Sequence, residues 1–240
     1  MKGALTKSLA IAAMVVFATT AWADLTSYSQ DFEGLVQADP AALGNDGWLY
    51  FANVFDGTTS GFLYNYGPGP APNGGPAFSA IATGQGGASQ GAQQLVVYSD
   101  YNNGDHNNGN IIEANVFQEQ VIGAVDVGTE WTFMFDAKLG DILPNSTALA
   151  FIKTLDPNAG FALSNFITVD MTSIPATWST YSLSIAIDAP IVGHIFQIGF
   201  LNTATNFTPS GIFYDNINFG QSGPVSVESR SWGGVKSLYR

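Results

Sequence analysis

The sequence predicts an all-β protein built as an antiparallel β-sandwich, and three features of the chain carry this prediction. Apolar and polar residues alternate over many short segments, as they do in strands with one buried face. Gly, Pro, Asn and Ser separate these segments at short intervals. No long stretch repeats its apolar residues every 3.6 positions, so the pattern does not favour helices.

Two segments show the alternation most clearly. One predicted strand, 130–138, places Trp131, Phe133, Phe135 and Ala137 on one face. Another, 181–188, does the same with Tyr181, Leu183, Ile185 and Ile187. Further strands are predicted at Trp48–Val54, Gln94–Ser99, Ile111–Phe117, Ala148–Thr154, Ser164–Asp170, His194–Phe200 and Gly211–Phe219, with a short one around Gly61–Tyr66. About ten strands with turn-rich links indicate a sandwich of two sheets.

The composition excludes several classes of protein. Aromatic residues make up 13% of the chain and charged residues only 11%, which is the reverse of a disordered sequence. The absence of cysteine excludes a disulfide scaffold. Seven basic residues against 19 acidic ones disfavour nucleic acid as a partner, because phosphate contacts need a basic face.

The first 23 residues have the features of a secretory signal peptide. Lys2 and Lys7 precede an apolar run from Leu9 to Phe17, and Ala21-Trp22-Ala23 follows with small residues where a signal peptidase cleaves. The apolar run is shorter than the roughly 20 residues of a transmembrane helix. We therefore expect cleavage before Asp24 and a secreted, extracellular, periplasmic or cell-surface protein without a transmembrane anchor.

The chain from Asp24 onwards is strongly acidic. Without Lys2 and Lys7, five basic groups face 19 acidic ones, a net charge of −14. This acidity is either an adaptation for solubility or a sign that some carboxylates hold divalent cations. It also argues against binding an anionic polysaccharide by charge alone.

The sequence divides into a domain at 24–220 and a tail at 221–240. Two long loops interrupt the domain: Gly67–Gln93 is nearly free of charge, and Ser99–Asn110 is almost wholly polar. The tail begins with a Gly-Pro pair and carries a net charge of +2. It is either a disordered appendage or a sorting or anchoring segment with a cell-surface or matrix partner.

Three motifs in order carry a resemblance to a known family. They are Gln30-Asp31-Phe32-Glu33-Gly34, the strand from Trp131 to Lys138, and Phe213-Tyr214-Asp215-Asn216-Ile217, together with Trp178 before a strand. In this order they resemble the galactose-binding-like jelly roll of many carbohydrate-binding modules, over roughly 24–220. The resemblance implies a jelly-roll sandwich that binds a glycan, and the two long loops depart from the family pattern.

The same resemblance implies a structural Ca²⁺ where the first and last strands meet, with Glu33 and Asp215 among its ligands. The residues add an argument of their own, since alternation predicts that Asp215 shares the core face with Phe213, Ile217 and Phe219. An isolated buried carboxylate costs several kcal/mol unless it is paired or metal-bound, and Ca²⁺ prefers oxygen ligands. Alternatively, Asp215 accepts backbone N–H groups in a turn.

Catalytic patterns are weak. Gly87-Ala88-Ser89-Gln90-Gly91 fits G-x-S-x-G, but a strand follows it where a nucleophile elbow needs a helix. Neither His106 nor His194 has the neighbours of a zinc site. A glycosidase needs two carboxylates about 5 to 9.5 Å apart, and the candidates Glu113, Glu119, Glu130 and Asp136 form no clustered motif. A glycoside hydrolase or lyase remains the less favoured alternative.

Aromatic residues in and beside the long loops are the stronger signal, because sugar rings stack on aromatic faces while amides and carboxylates bond the hydroxyls. The candidate ligand-binding residues are Trp48, Tyr50, Tyr64, Tyr66, Tyr98, Tyr101, Asn102, Asn103, Asp105 and His106. Packing in the core or within the loops is the alternative for each aromatic residue.

The sequence therefore predicts a secreted, non-catalytic carbohydrate-binding protein with a structural calcium ion. The alternative from a different class is an extracellular matrix or cell-surface structural protein that recognises no sugar. An aromatic-lined groove with convergent polar groups would favour binding, whereas exposed strand edges would favour assembly.

Overall fold

Twelve strands and one short helix make up most of the computed structural model, which describes residues 24–69 and 78–224. The strands are β1 Tyr28–Gln30, β2 Leu49–Phe55, β3 Phe62–Tyr66, β4 Ala80–Thr83, β5 Gln93–Val97, β6 Ile111–Val121, β7 Thr129–Ile142, β8 Thr147–Asp156, β9 Ala162–Asp170, β10 Ser179–Ala186, β11 Ile195–Ala204 and β12 Ser210–Pro224. The helix α1 is Ala42–Asn45, and 3₁₀ turns lie at Gly104–Asn108, Ala124–Asp126, Pro157–Ala159 and Ala189–Ile191. The predicted signal peptide and most of the predicted tail lie outside the described residues.

Two antiparallel sheets face each other, so the predicted β-sandwich is confirmed. Sheet A has the order β10-β7-β12-β5-β4, and β1 pairs with a second stretch of β12. Sheet B has the order β3-β2-β6-β11-β8-β9. Every pairing is antiparallel, and chain neighbours repeatedly fall in different sheets, which places β6, β11 and β8 side by side in the middle of sheet B.

The core lies between the inner faces of the two sheets. Phe133 and Phe135 from sheet A meet Phe200 from sheet B, with ring centroids 5.5 and 5.1 Å from the Phe200 ring. Tyr214 stacks on the same ring and is fully buried. Close-packed aromatic contacts of this kind account for much of the stability of a sandwich with so few charged residues.

Alternation located most strands correctly. All ten predicted strands are present, and the faces predicted for β7 and β10 are the buried ones. Two short strands, β1 and β4, were not predicted. The last strand runs to Pro224, four residues past the predicted end of the domain at 220.

The predicted inner face of β12 is wrong for two of its four residues. A bulge between Asp215 and Asn218 shifts the register, with Asn216 at φ 48°. Ile217 and Phe219 remain in the core, but before the bulge Ile212 and Tyr214 occupy it instead of Phe213 and Asp215. Asp215 on β12 lies opposite Asp136 on the neighbouring strand β7, on the outer side of sheet A.

No helix in the described part of the chain is long and apolar enough to cross a membrane.

Candidate functional site

The outer face of sheet B carries apolar side chains of its own. Phe117, Phe151 and Leu201 come from β6, β8 and β11, alternate with core residues, and are nevertheless at most 7% exposed. Leu149 packs against them. A solvent-facing sheet surface usually alternates to polar residues, whereas these side chains, covered by their neighbours, form an apolar floor beneath the outer surface of sheet B.

A cleft of about 710 Å³ lies on this floor and crosses all six strands of sheet B, from Asn65 on β3 to Phe166 on β9. Five strand spacings of about 4.8 Å give it a width of roughly 24 Å across the sheet. Its aromatic lining is Phe51, Phe117, Phe161 and Phe166, and its principal polar lining is Asn53, Glu113, Asn115, Glu119, Lys153 and Gln197. Aromatic faces with a few fixed polar groups are the usual construction of a small-molecule or glycan site.

The polar groups of this cleft, called here the sheet B cleft, form a connected network. Asn53 Nδ2 and Asn115 Nδ2 both donate to Glu113 Oε1, at 2.9 and 3.2 Å. Lys153 Nζ donates to Asn115 Oδ1 at 2.8 Å. Gln197 Nε2 donates to Glu119 Oε2 at 2.8 Å in the same part of the sheet. These bonds fix the side-chain directions before any ligand arrives, which lowers the entropic cost of binding.

Lys153 is held between aromatic rings. Its Nζ lies 4.1 Å from the centroid of Phe151 and 5.1 Å from that of Phe166. Burial lowers the pKa of Lys153 to about 8, and the charge of Glu113 opposes this shift only partly. Within the described residues no carboxylate oxygen lies within 4.0 Å of this amine, since the one ion pair found there joins His194 to Asp156.

Gly199 explains how Lys153 reaches Asn115. Lys153 pairs with Gln197 on β11, while Asn115 pairs with Leu201, so the line between them passes over Gly199. Gly199 has no side chain to obstruct that line. A Cβ at this position would lie 2.2 Å from the carbonyl oxygen of Val116, so the strand spacing here requires glycine.

Several of the sequence-predicted residues do come together, at one end of the sandwich. Tyr64 donates to Asp105 Oδ2 at 2.6 Å and accepts from Asn103 Nδ2 at 3.2 Å. Tyr66 donates to Asp100 Oδ2 at 2.7 Å, and the backbone of Asn102 donates to the other oxygen of Asp100. These bonds tie the polar loop to β3.

Tyr98, Tyr101 and His106 form a second group. Tyr98 and Tyr101 stack with centroids 5.7 Å apart, and His106 lies buried between Tyr101 and Phe207. Burial lowers the pKa of His106. A groove of about 490 Å³ on sheet A is lined by Tyr98, Tyr101, Phe207 and Phe213. The Tyr101 hydroxyl is hydrogen-bonded to the carbonyl oxygen of Thr208 and to Ser210 Oγ.

Two predicted ligand-binding residues belong to the interior. Trp48 is 1% exposed and packs against Tyr28, Phe32 and Phe200, so its ring presents no face to a ligand. Tyr50 points inward from β2 and packs against Phe78 and the core. For these two residues the structure corrects the prediction, because they lie on the inner face of the sheet.

Glu33 and Asp215, the residues expected to bind calcium, have different surroundings. Glu33 is exposed, and its Oε1 accepts the backbone N–H groups of Ala92 and Gln93 at 2.7 Å. Asp215 is 1% exposed and its Oδ2 has no partner among the described residues. Burial raises the pKa of Asp215 to about 6, and Glu33 and Asp31 add to the rise.

The fit of these residues to a calcium ion is therefore partial. The buried, unpaired oxygen of Asp215 suits a cation. The described residues, however, include no group of three or more acidic or histidine side chains placed to hold a metal. Backbone carbonyl or amide oxygens would have to complete the coordination.

The G-x-S-x-G segment covers a buried carboxylate on sheet A. Asp136 accepts from Thr180, Gln90 and Asn216 at 2.6 to 2.8 Å. Burial alone would raise the pKa of Asp136, but these hydrogen bonds outweigh it and hold the pKa below its ordinary value. Polar contacts therefore anchor the segment to sheet A, and the next element after Ser89 is strand β5 and not a helix.

The sheet B cleft was missed at the sequence level because its residues look like core residues. Phe51 and Phe151 lie in strands whose inner residues are also apolar, so alternation does not single them out. Lys153 was the available signal, since a lone lysine in an apolar strand has to be exposed or specially accommodated.

Comparison with known proteins gives likenesses of fold at low sequence identity. The sequence matches no family model and no curated protein. A family 16 carbohydrate-binding module is 13% identical, with 61% of this chain and 86% of that chain covered and a TM-score of 0.39. The module TmCBM61, solved in complex with β-1,4-galactotriose, is 11% identical over 60% of this chain and 82% of its own, with a TM-score of 0.37.

Enzymes are also among the similar structures. The enzymatically active domain of tailspike protein 4 of bacteriophage CBA120 is 14% identical over 78% of this chain, with a TM-score of 0.45. The chain spans only 21% of that tailspike chain. The sandwich itself is established by the strand pairing described above.

Proposed function

We propose that this protein binds a glycan non-covalently in the sheet B cleft. The network that joins Asn53, Glu113, Asn115 and Lys153 between phenylalanine rings is the observation that carries the proposal. Apolar ring faces pack on the faces of sugars, and fixed amide and carboxylate groups bond their hydroxyls. The cleft spans six strands, so it suits an extended oligosaccharide better than a single sugar.

The arrangement of carboxylates supports binding without hydrolysis. Glu113 and Glu119 both line the cleft, but they are six residues apart on β6, which is about 20 Å along an extended strand. Hydrolysis of a glycosidic bond uses two carboxylates about 5 to 9.5 Å apart. Both glutamates already accept hydrogen bonds from cleft amides, which suits a role in positioning a ligand.

A glycan array probed with residues 24–240 tests the proposal. Phe51 and Phe166 are 39% and 43% exposed, so a Phe51→Ala/Phe166→Ala variant loses ligand contacts at little cost to the fold. Phe207→Ala, 41% exposed beside the groove on sheet A, is the matched control. We expect the cleft variant to lose the array signal and the control to keep it. No bound glycan, or unchanged binding by the cleft variant, refutes the proposal.

We further propose that the protein is exported and that Glu33 and Asp215 bind a structural Ca²⁺. The leader-like residues 1–23 support export. The unpaired buried oxygen of Asp215, close enough to Glu33 for their charges to interact, supports the ion. A bound Ca²⁺ would supply positive charge that this part of the chain lacks.

One observation favours the structural alternative as a second candidate function. Strand β9 forms one edge of sheet B, is nine residues long and contains neither lysine nor proline, the residues that commonly block edge pairing. Two such edges can pair and build an assembly. Light scattering of the purified protein separates the two functions: a monomer at micromolar concentration excludes edge assembly, whereas concentration-dependent oligomers that Thr168→Lys disperses support it.

A further inference from the structure

The sheet B cleft contains a cation that makes no direct ion pair within the described residues. Between Asp24 and Gly220 the chain has only two basic residues, Lys138 and Lys153. Lys138 lies on the outer side of sheet A and donates to the carbonyl oxygen of Gln85. Lys153 is therefore the one basic residue of the described part that lines the cleft.

Amide groups separate Lys153 from both carboxylates of the cleft. Asn115 lies between Lys153 and Glu113, accepting from the amine and donating to the carboxylate. Gln197 lies between Lys153 and Glu119, since these three residues pair in one row across β8, β11 and β6. Gln197 also donates to Glu119. A direct ion pair, which would cancel the charge within the protein, is absent from the described residues.

The amine retains capacity for a ligand. An ammonium group has three N–H donors, and in the described residues one of them is used, toward Asn115. The rings of Phe151 and Phe166 flank the group and exclude water from its sides. A partly buried ammonium group without a direct ion pair is costly, and the charge of Glu113 offsets only part of that cost. An incoming anion would offset the rest while gaining charge-assisted hydrogen bonds.

We infer that the glycan bound in the sheet B cleft is acidic, and that Lys153 recognises a carboxylate on it, as in an oligosaccharide of uronic acids. This inference rests on the proposed function and adds the chemical class of its ligand. Lys153 is the specificity-determining residue, while the phenylalanine rings and the amides of Asn53 and Asn115 bind sugar rings and hydroxyls common to neutral and acidic glycans.

The overall acidity of the chain is compatible with this specificity. Most of the net charge of −14 is spread over the surface, and at physiological ionic strength charges more than about 8 Å apart are largely screened. The contact between Lys153 and a carboxylate is short and partly shielded from water, so it is screened much less. Glu113 and Glu119 also line the cleft, so recognition is by one placed cation and not by net attraction of a polyanion to the cleft or to the whole protein.

Matched ligands test the inference. Oligogalacturonate, oligoglucuronate and oligomannuronate are each presented as the free acid and as the methyl ester, together with neutral oligomers of galactose, glucose and mannose. Esterification removes the negative charge and leaves the sugar backbone in place. We expect wild-type protein to bind at least one acid about tenfold to hundredfold more tightly than its ester, the range of a charge-assisted hydrogen bond.

Variants assign the preference to Lys153. Lys153→Met keeps the apolar stem and removes the charge, and Lys138→Met removes the same charge on the opposite sheet. We expect the first to bind acid and ester equally and the second to retain the wild-type preference. Thermal melting verifies folding, and Lys153→Gln replaces the Met variant if that one does not melt cooperatively.

The outcomes separate this inference from the proposed function. If wild-type protein binds neutral glycans as tightly as acidic ones, or binds acid and ester alike, or if Lys153→Met keeps the preference for the acid, Lys153 does not select an acidic ligand, although glycan binding stands. If no oligosaccharide of either kind binds, the proposed function fails and the inference fails with it.

Discussion

Removing the amine of Lys153 should change how the stability of the protein depends on pH. In the folded state the pKa of Lys153 is lowered to about 8, because the amine is buried beside Phe151 and Phe166. In the unfolded chain a lysine has a pKa near 10.4. Between these two values the unfolded chain binds more protons than the folded one, so raising the pH favours folding.

The size of the effect follows from the two pKa values. A difference of about 2.5 units corresponds to roughly 3 kcal/mol when the folded lysine is fully protonated, at pH 7 and below. Between pH 7 and pH 9 about 1 kcal/mol of this penalty is relieved, and the remainder disappears above pH 10. Buried tyrosines such as Tyr28 and Tyr66, whose pKa values are raised, oppose the gain only as the pH approaches 10.

Urea unfolding of the wild type and of Lys153→Met at pH 7, 8 and 9 measures this difference. Other titrating groups around the amine, Glu113 and Glu119 on β6, Asp156 and His194 nearby and Asp170 on β9, are the same in both proteins and cancel in the comparison. We expect the stability difference, wild type minus variant, to rise by about 1 kcal/mol from pH 7 to pH 9. Parallel pH profiles would refute the assignment of Lys153 as a buried cation without a direct ion pair.

Three further predictions concern other parts of the molecule. Ca²⁺ near Asp215 at roughly 100 times its dissociation constant would stabilise the fold by about 2 to 3 kcal/mol, so chelation with EDTA should lower the melting temperature by several degrees. Superimposable melting curves with and without EDTA would contradict a stabilising Ca²⁺ site. Asp136→Ala should destabilise the fold by about 2 to 4 kcal/mol because Thr180, Gln90 and Asn216 lose a shared acceptor; a loss below about 0.5 kcal/mol, as expected for the exposed Asp31→Ala, would contradict this. Protein secreted by an expressing host should begin at Asp24 by mass spectrometry, and an N-terminus that retains residues 1–23 would argue against a signal peptide.

Local alternation was enough to predict the sandwich. In β7, Trp131, Phe133 and Phe135 alternate with residues of the outer face, and all three are buried as predicted. A three-residue strand such as β1 has no room for a periodic pattern, because it is defined by its partner, β12. The sequence therefore predicts the longer strands, but it does not predict the shortest ones.

The position of Asp215 shows where alternation fails. One extra residue in a strand reverses which side chains face inward, and the sequence of β12 contains no glycine or proline at the bulge itself. Asp215 is buried as predicted, but on the outer side of sheet A opposite Asp136. Alternation predicted the burial by placing Asp215 on the core face, but the actual face depends on a bulge that only the backbone reveals.

The sheet B cleft could be located only from the tertiary structure. Loop tyrosines such as Tyr64 and Tyr98 stand out in the sequence, and the structure places them in two groups near one end of the sandwich. Phe51 and Phe166 come from strands far apart in sequence and share a cleft because β2 and β9 lie in the same sheet. Strand order across a sheet is set by long-range pairing, so no local pattern predicts that these rings meet.

The most direct test of the account is a crystal structure of residues 24–240 with an oligosaccharide selected on the array. We predict density for the sugar chain on the outer face of sheet B, packed between Phe51 and Phe166, with a carboxylate within hydrogen-bonding distance of Lys153 Nζ. A sugar chain bound instead in the groove beside Tyr98 and Tyr101, with the sheet B cleft empty, would contradict it.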